Sequence, residues 1–221
     1  MPGASSAIHL KPAADLAERV LLPGDPHRAL AVAQVLMEQP KMFNHHRGLW
    51  GYSGTARDGE LLTIQATGMG GPSAAIVIEE LIALGASTLI RIGTCAALGG
   101  SLSIGDVVRV EAALALDGAS RSLGADGRVE PDAELTQAID APDVTAASVD
   151  LFYTDDQPPG ADVVEMEAAT LFQVATLRGV RAAAVLGVSD TLAGEPHRIC
   201  AEHLEALGVQ LGETAWAALT R

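Results

Sequence analysis

Positive charge is scarce in this chain of 221 residues: 14 Lys and Arg stand against 28 Asp and Glu, a formal net charge of −14. Phosphate backbones demand a net basic face, so nucleic acid is not an expected partner. Only Lys11 and Lys41 are lysines, and the remaining basic residues are arginines. Compositional bias alone can produce that skew, but an isolated arginine beside glycines in an acidic protein also suits a small anion. Cysteine is equally sparse. Cys95 and Cys200 form neither a metal-type spacing nor a disulfide framework, and Cys95 reads as a small packed hydrophobe. His45, His46, Glu195, His197, Glu202 and His203 show no recognised ligand spacing, so no metal is expected. Long hydrophobic runs are missing too. Although 48% of residues are apolar, charged side chains interrupt every stretch long enough to cross a bilayer. With no secretory leader pattern, the expectation is a soluble, cytoplasmic protein without a membrane partner.

What is present is the alternation of an α/β fold, in a length that suits one domain spanning residues 1–221. Strands are predicted at 19–22, 50–56, 61–67, 87–92, 106–110, 144–149 and 181–188. Helices are predicted at 26–38, 72–84, 132–139, 167–178 and 199–220. The runs 61–67, 87–92 and 181–188 are rich in Ile, Val, Leu and Ala, as central strands covered on both faces are. The stretch 118–142 reads as a surface excursion and 155–160 as a loop.

Five constellations carry possible chemistry. In Gly24-Asp25-Pro26-His27-Arg28 a strand ends, Asp25 caps a helix and Pro26 opens it. The free N–H groups there, with Arg28 one turn in, suit an oxyanion, though an ordinary capped turn explains them equally. Gly68-Met69-Gly70-Gly71 is a second strand-to-helix turn, whose glycines permit close approach to a ligand; it is neither a dinucleotide fingerprint nor a P-loop. Arg91-Ile92-Gly93-Thr94 ends an apolar run, and Arg91 there needs an anionic partner, either a ligand or a carboxylate of the chain. Glu165 and Glu167 flank Met166 and point to opposite sides if extended, so one can face a ligand while the other serves structure. Asp190, after Ser189 at the mouth of a hydrophobic strand, is a candidate general acid or else a helix cap, since apolar walls raise a carboxyl pKa.

Taken in order, Gly24-Asp25-Pro26…Arg28, Arg47-Gly48, Gly68-Met69-Gly70, Arg91-Ile92-Gly93-Thr94, Phe152, Glu165-Met166-Glu167 and Ser189-Asp190 resemble the hexameric purine nucleoside phosphorylases. Their family also holds the uridine phosphorylases. The resemblance runs from about His9 to Arg198. It implies one α/β domain with a central mixed, partly barrel-like β-sheet flanked by α-helices. It implies phosphorolysis of purine nucleosides, with inorganic phosphate as co-substrate and no cofactor. Gly24, Arg28, Arg91 and Thr94 would bind phosphate, with Arg47 reaching in from a neighbouring subunit. His9, also from the neighbour, would meet the ribose 5′-hydroxyl. Met166 would pack on the sugar and Glu167 accept its 2′- and 3′-hydroxyls, with Glu165 and Met69 in the same nucleoside site. Phe152 would stack near the base, Cys95, Ala96 and Val164 would line its pocket, and Asp190 assisted by Arg198 would protonate N7. A dimer is then the minimum assembly and a hexamer the expectation.

The chain departs from the family at four points. Thr94 replaces a usual Ser, the segments 118–150 and 153–163 are short, His9 needs a one-residue gap, and Arg198 follows Asp190 by only eight residues. Three alternatives share parts of the pattern. A hydrolytic nucleosidase has no reason to gather Arg28, Arg47 and Arg91. A uridine phosphorylase carries a Gln and an Arg after the Phe-Tyr stretch, where this chain has Thr154-Asp155-Asp156-Gln157-Pro158. A non-catalytic nucleoside-binding protein has no need of both Glu167 and Asp190.

Overall fold

Strong capping signals and apolar runs account for most of the elements in the computed structural model, which describes residues 7–154, 157–193 and 197–220. Asp155 and Asp156 of the expected 155–160 loop lie outside them. The strands are β1 (Arg19–Pro23), β2 (Met37–Asn44), β3 (Gly51–Ala56), β4 (Leu61–Gln65), β5 (Thr88–Ala97), β6 (Val107–Ala115), β7 (Arg128–Val129), β8 (Asp143–Ser148), β9 (Val163–Glu165), β10 (Arg181–Thr191) and β11 (His197–Arg198). The helices are α1 (Pro26–Leu36), α2 (Gly71–Ala83), α3 (Gly118–Ser122), α4 (Ala133–Ala138), α5 (Ala168–Arg178) and α6 (Ala201–Leu219).

The three predicted central runs become β4, β5 and β10, which with β1 form four parallel strands in the order β10, β5, β1, β4. Their continuous apolarity follows from burial on both sides. Val20, Leu22 and Leu89 pack with α2 and α5, whereas Leu21, Ile90 and Ile92 pack with α1 and α6. Beyond β4 the sheet continues antiparallel through β3 and β2. On the other side β10 pairs antiparallel with β6, which is followed by parallel β8 and β9. The closure comes from β5. Its first half pairs with β1, while Ala96 and Ala97 further along pair with β9. Strands β5, β10, β6, β8 and β9 thus form a closed ring inside a larger mixed sheet, the partly barrel-like architecture expected.

Several boundaries differ from expectation for local physical reasons. The helix predicted over 26–38 stops at Leu36, and Met37 turns directly into β2. Gln39 precedes Pro40, which disfavours helical backbone, and Gln39 takes φ 44° at a break in the β2–β3 register. Strands β5, β6 and β10 run several residues past their predicted ends, because ring closure gives their Gly-, Ala- and Ser-containing tails partners to pair with. The stretch 118–142 is no bare excursion. It holds α3, β7 and α4, whose helices start on the side chains of Asp117 and Asp132, and Asp117, Ser120 and Leu135 are buried. Among the described residues no helix is long and apolar enough to cross a membrane.

Helix α6 packs on α1 through two glycines. A Cβ on Gly212 would stand 2.4 Å from Val32 Cγ1, and one on Gly208 would stand 3.1 Å from Arg28 Cγ. Gly212→Ala is therefore expected to overpack this contact and cost about 1–3 kcal/mol in urea unfolding, with partial recovery in the Val32→Ala background. A second expectation concerns pH. Arg19 forks onto Asp58 at 2.5 and 2.7 Å, and this hydrogen bonding lowers the carboxyl to about 2. An unfolded Asp titrates near ~3.9, so the bridge stabilises fully above that pH and loses its effect as pH falls toward the folded value. Urea unfolding is expected to show Asp58→Asn weaker than the parent near neutral pH and equal to it at about pH 2.

Candidate active site

Parallel pairing sets the carboxyl ends of β1, β5 and β10 side by side, the place where α/β sheets collect ligands. Pro23 is level with Ile92, Gly187 with Thr94 and Asp190 with Ala96. Gly24, Thr94 and Asp190 therefore share one end of the sheet. The turn of Gly68, Met69 and Gly70 lies against it, with Gly68 N–H donating to Gly24 O at 3.1 Å. A Cβ on Gly24 would stand 3.2 Å from Gly68 O, so the two turns meet at this distance because residue 24 is glycine.

Arg91 is only 5% exposed, and it finds its counter-charge inside the protein. Its Nε donates to Glu165 at 3.0 Å and its Nη2 to Glu167 at 2.5 Å. Gly93, two residues along the same strand face, provides the room: a Cβ there would stand 2.7 Å from Arg91 Cζ. The two glutamates then divide. Glu165 accepts from Ser148 Oγ, from Arg91, and from the backbone N–H groups of Glu167 and Ala168, at 2.8 to 3.0 Å for the last three donors. It takes the first two N–H groups at the start of α5, the third going to Ser148 Oγ, and acts as a brace. Glu167 takes the N–H of Gly70 at 2.5 Å besides Arg91. Burial pushes its carboxyl up from the ordinary range, with Arg91 opposing.

Arg28 sits one turn into α1, half-buried, its Nη1 donating to Ile92 O at 3.3 Å. Burial draws its guanidinium below the ordinary value; Asp25 and Glu167 oppose this, and nearby Arg91 reinforces it. The other Arg28 donors and the half-buried Thr94 hydroxyl have no partner among the described residues. Two neighbouring guanidiniums, that of Arg28 with spare donors, concentrate positive charge at these strand ends. The first-turn N–H of His27, by contrast, is taken by the Asp25 carboxylate at 2.9 Å.

Asp190 is aimed by a bulge. Val188 pairs with Cys95 and Asp190 with Ala96, leaving Ser189 as the extra residue that turns the strand. Ser189 Oγ donates to Asp190 at 2.8 Å and Arg198 Nε to its other oxygen at 2.6 Å. The eight-residue spacing of Asp190 and Arg198 is a hairpin in which the two face each other across β10 and β11. Arg198 also lies 5.5 Å from the centroid of the Phe152 ring, so Asp190, Arg198 and Phe152 form one stack. Phe152 and Met69 are exposed at 57% and 86%, at the rim. Ala96 pairs with Val164, both half-buried, and Met166 is half-buried between the two glutamates. Cys95 is buried, and burial pushes its thiol up from the ordinary value, which keeps it protonated.

Neither His9 nor Arg47 bonds to a member of this cluster. His9 Nδ1 lies 2.7 Å from Glu80, which also accepts the backbone N–H groups of residues 8, 9 and 10. Arg47 is exposed, and its side chain makes no hydrogen bond or ion pair with any described residue. Among the described residues no three His, Cys, Asp or Glu side chains are grouped to hold a metal, and Glu195 lies outside those residues. Sequence reasoning missed Ser148, and it placed Gly93 and Ser189 in motifs without giving either a role. The nearest signal was a small residue closing or following each apolar run, which by itself marks nothing.

A mixed sheet with two neighbouring arginines at its carboxyl edge, one glutamate beside them and an aspartate at the rim, gathers ionisable side chains where α/β enzymes hold their ligands. The model of the phosphorylase superfamily matches residues 18–215. The purine nucleoside phosphorylase DeoD-type of Geobacillus kaustophilus is 36% identical over 200 residues, covering 82% of this chain and 84% of its own length. The protein of the same description from Jannaschia sp. is 37% identical over 201 residues, 82% and 85% of the two chains. That from Listeria welshimeri is 36% identical over 194 residues, 80% and 83%. The chain belongs to the phosphorylase superfamily.

The two carboxylates at the site predict opposite responses. Glu165→Ala removes one of the two counter-charges of buried Arg91 and leaves the N–H groups of Glu167 and Ala168 without their acceptor, and is expected to cost roughly 3–5 kcal/mol in urea unfolding. Asp190→Ala frees Arg198, which is 62% exposed, and the Ser189 hydroxyl, which keeps Cys95 O as acceptor, and is expected to cost no more than about 1 kcal/mol.

Proposed function

We propose that this chain cleaves purine nucleosides by phosphorolysis, giving the free base and ribose or deoxyribose 1-phosphate. The observation that carries the reading is the pair of neighbouring guanidiniums, Arg28 and Arg91, at the carboxyl ends of parallel strands with Glu167 against Arg91. Inorganic phosphate is the co-substrate, and the chemistry calls for no cofactor. Phosphate takes the spare donors of Arg28 and Arg91, the Thr94 hydroxyl and the backbone at Gly24. Arg91 keeps its Glu165 bond and exchanges Glu167 for phosphate, which frees Glu167 to accept the 2′- and 3′-hydroxyls. Met166 packs on the sugar, while Met69, Phe152, Cys95, Ala96 and Val164 surround the nucleoside. Arg47 and His9, which bond to no member of the cluster in their own chain, serve the site of a neighbouring copy, so the working unit is at least a dimer and expected to be a hexamer.

The reaction separates charge between an oxocarbenium-like sugar and the departing base. The C1′–N9 bond breaks with its electron pair moving into the purine, a phosphate oxygen bonds to C1′, and the Asp190 proton ends on N7. Arg198 and Ser189 hold Asp190 in place for this transfer. Phosphate beneath the anomeric carbon is nucleophile and charge stabiliser together. Glu167 fixes the sugar, and that orientation lowers the barrier further.

A nucleoside panel assayed with and without phosphate tests the reading, with free base and sugar 1-phosphate as the products measured. Inosine or adenosine is expected to turn over only with phosphate. Undiminished base release in phosphate-free buffer would mean hydrolysis, and faster turnover of uridine would overturn the purine assignment. Asp190→Asn, which cannot donate the proton, is expected to slow purine release by about 10²–10⁴-fold with little change in nucleoside binding.

A further inference from the structure

Arg47 stands on backbone that an L residue rarely adopts. It takes φ 59° and ψ 18° within the short helical turn His46–Gly48, and Gly48 follows at φ 71°. A non-glycine residue persists in that region only when its surroundings over-determine it. The Arg47 side chain supplies none of that restraint, since it bonds to no described residue.

The restraint comes from two fully buried amides beneath the turn. Asn44, the last residue of β2, donates from Nδ2 to Leu49 O at 2.6 Å and to His46 O at 3.4 Å. Its Oδ1 accepts from His46 N–H at 3.4 Å. Gln65, at the end of β4, adds a second donor to Leu49 O at 2.9 Å. Gly51 leaves space for Gln65, because a Cβ there would stand 2.1 Å from its Oε1. The backbone on both sides of Arg47 is therefore tied to one side chain. That side chain has a further partner: Asn44 Oδ1 also accepts from Lys11 N–H at 2.9 Å, two residues beyond His9. Only an amide can do this, since the site asks one group to donate to two carbonyls and accept from two N–H groups.

We propose that Asn44 is a positioning residue for phosphate binding: it holds the strained Arg47 turn, and in the same register the His9 segment, in the geometry that each offers to the site of a neighbouring copy. The proposal rests on the reading that Arg47 binds phosphate. Asn44→Asp keeps the shape and the acceptor toward Lys11 but sets a carboxylate against the carbonyls of His46 and Leu49.

The test is a double-mutant cycle on the assembled enzyme, with Asn44→Asp, Arg47→Ala and their combination, reading KM for phosphate, kcat at saturating phosphate and Tm. Asn44→Asp is expected to raise the phosphate KM roughly 10-fold or more, within the 10²-fold that ångström-scale misplacement produces. Its kcat at saturating phosphate should stay within about two-fold of the parent value. Arg47→Ala is expected to raise the phosphate KM at least as much, and the double variant no further than Arg47→Ala alone. A raised KM in Arg47→Ala with an unchanged KM in Asn44→Asp, or effects that simply add, overturns the positioning role while leaving the Arg47 reading intact. An unchanged phosphate KM in Arg47→Ala removes that reading and this proposal with it. Gln65→Met withdraws the second donor to Leu49 O without adding charge, and it is expected to move the phosphate KM in the same direction. It carries the test should Asn44→Asp fail to fold.

Discussion

A guanidinium buried inside a closed ring of strands must be neutralised where it lies, and the site of this protein is organised around that constraint at Arg91. Glu165 and Glu167 supply the counter-charge. To reach Arg91 they must sit at the junction of β9 and α5, which requires β9 to close the ring against β5. Glu165 then anchors α5 by capping its first N–H groups, and Glu167 anchors α2 through the N–H of Gly70. One cation thereby ties the central sheet to the two helices on the same face of it. The cost of leaving either glutamate unpaired at this depth is what keeps the cluster in register.

The members of the same cluster, to which the proposed reaction is assigned, are unequally committed. Glu165 has its oxygens filled by donors of the chain, whereas Glu167 has two partners, each of which a ligand can replace. Arg28 is less committed still, with one long bond to a backbone carbonyl and a cationic neighbour. On the proposed reading, rigidity at Glu165 and exchangeability at Glu167 and Arg28 give a site that is pre-organised yet able to hand its donors to phosphate. At the rim, Asp190 gains its direction from the bulge at Ser189 and its partner from the β10–β11 hairpin.

Part of this was legible locally. Asp25 and Pro26 announced α1, and the runs around residues 64, 90 and 184 announced central strands, because caps and apolar runs are written within a few residues. The ordered motif series pointed to the family, which the match over residues 18–215 bears out. The β2 strand was not legible, since its polar Glu-Gln-Pro-Lys stretch has no periodicity and its pairing partner β3 lies beyond the turn. The long tails of β5 and β10 were not legible either, since Gly93 and Ser189 look like strand ends until a closed ring provides partners.

What the amino-acid order determined alone was the inventory: which segments are helical or extended, which strands are buried on both faces, and that arginines flank glycine turns in an acidic chain. Tertiary structure decided the assignments. Arg91 and Glu165 are 74 residues apart, and Gly70 and Glu167 are 97 apart, so which glutamate braces and which stays exchangeable has no local signature. It follows from ring closure, which brings distant strands to one edge and lets the donors already present there settle which oxygens remain for a ligand.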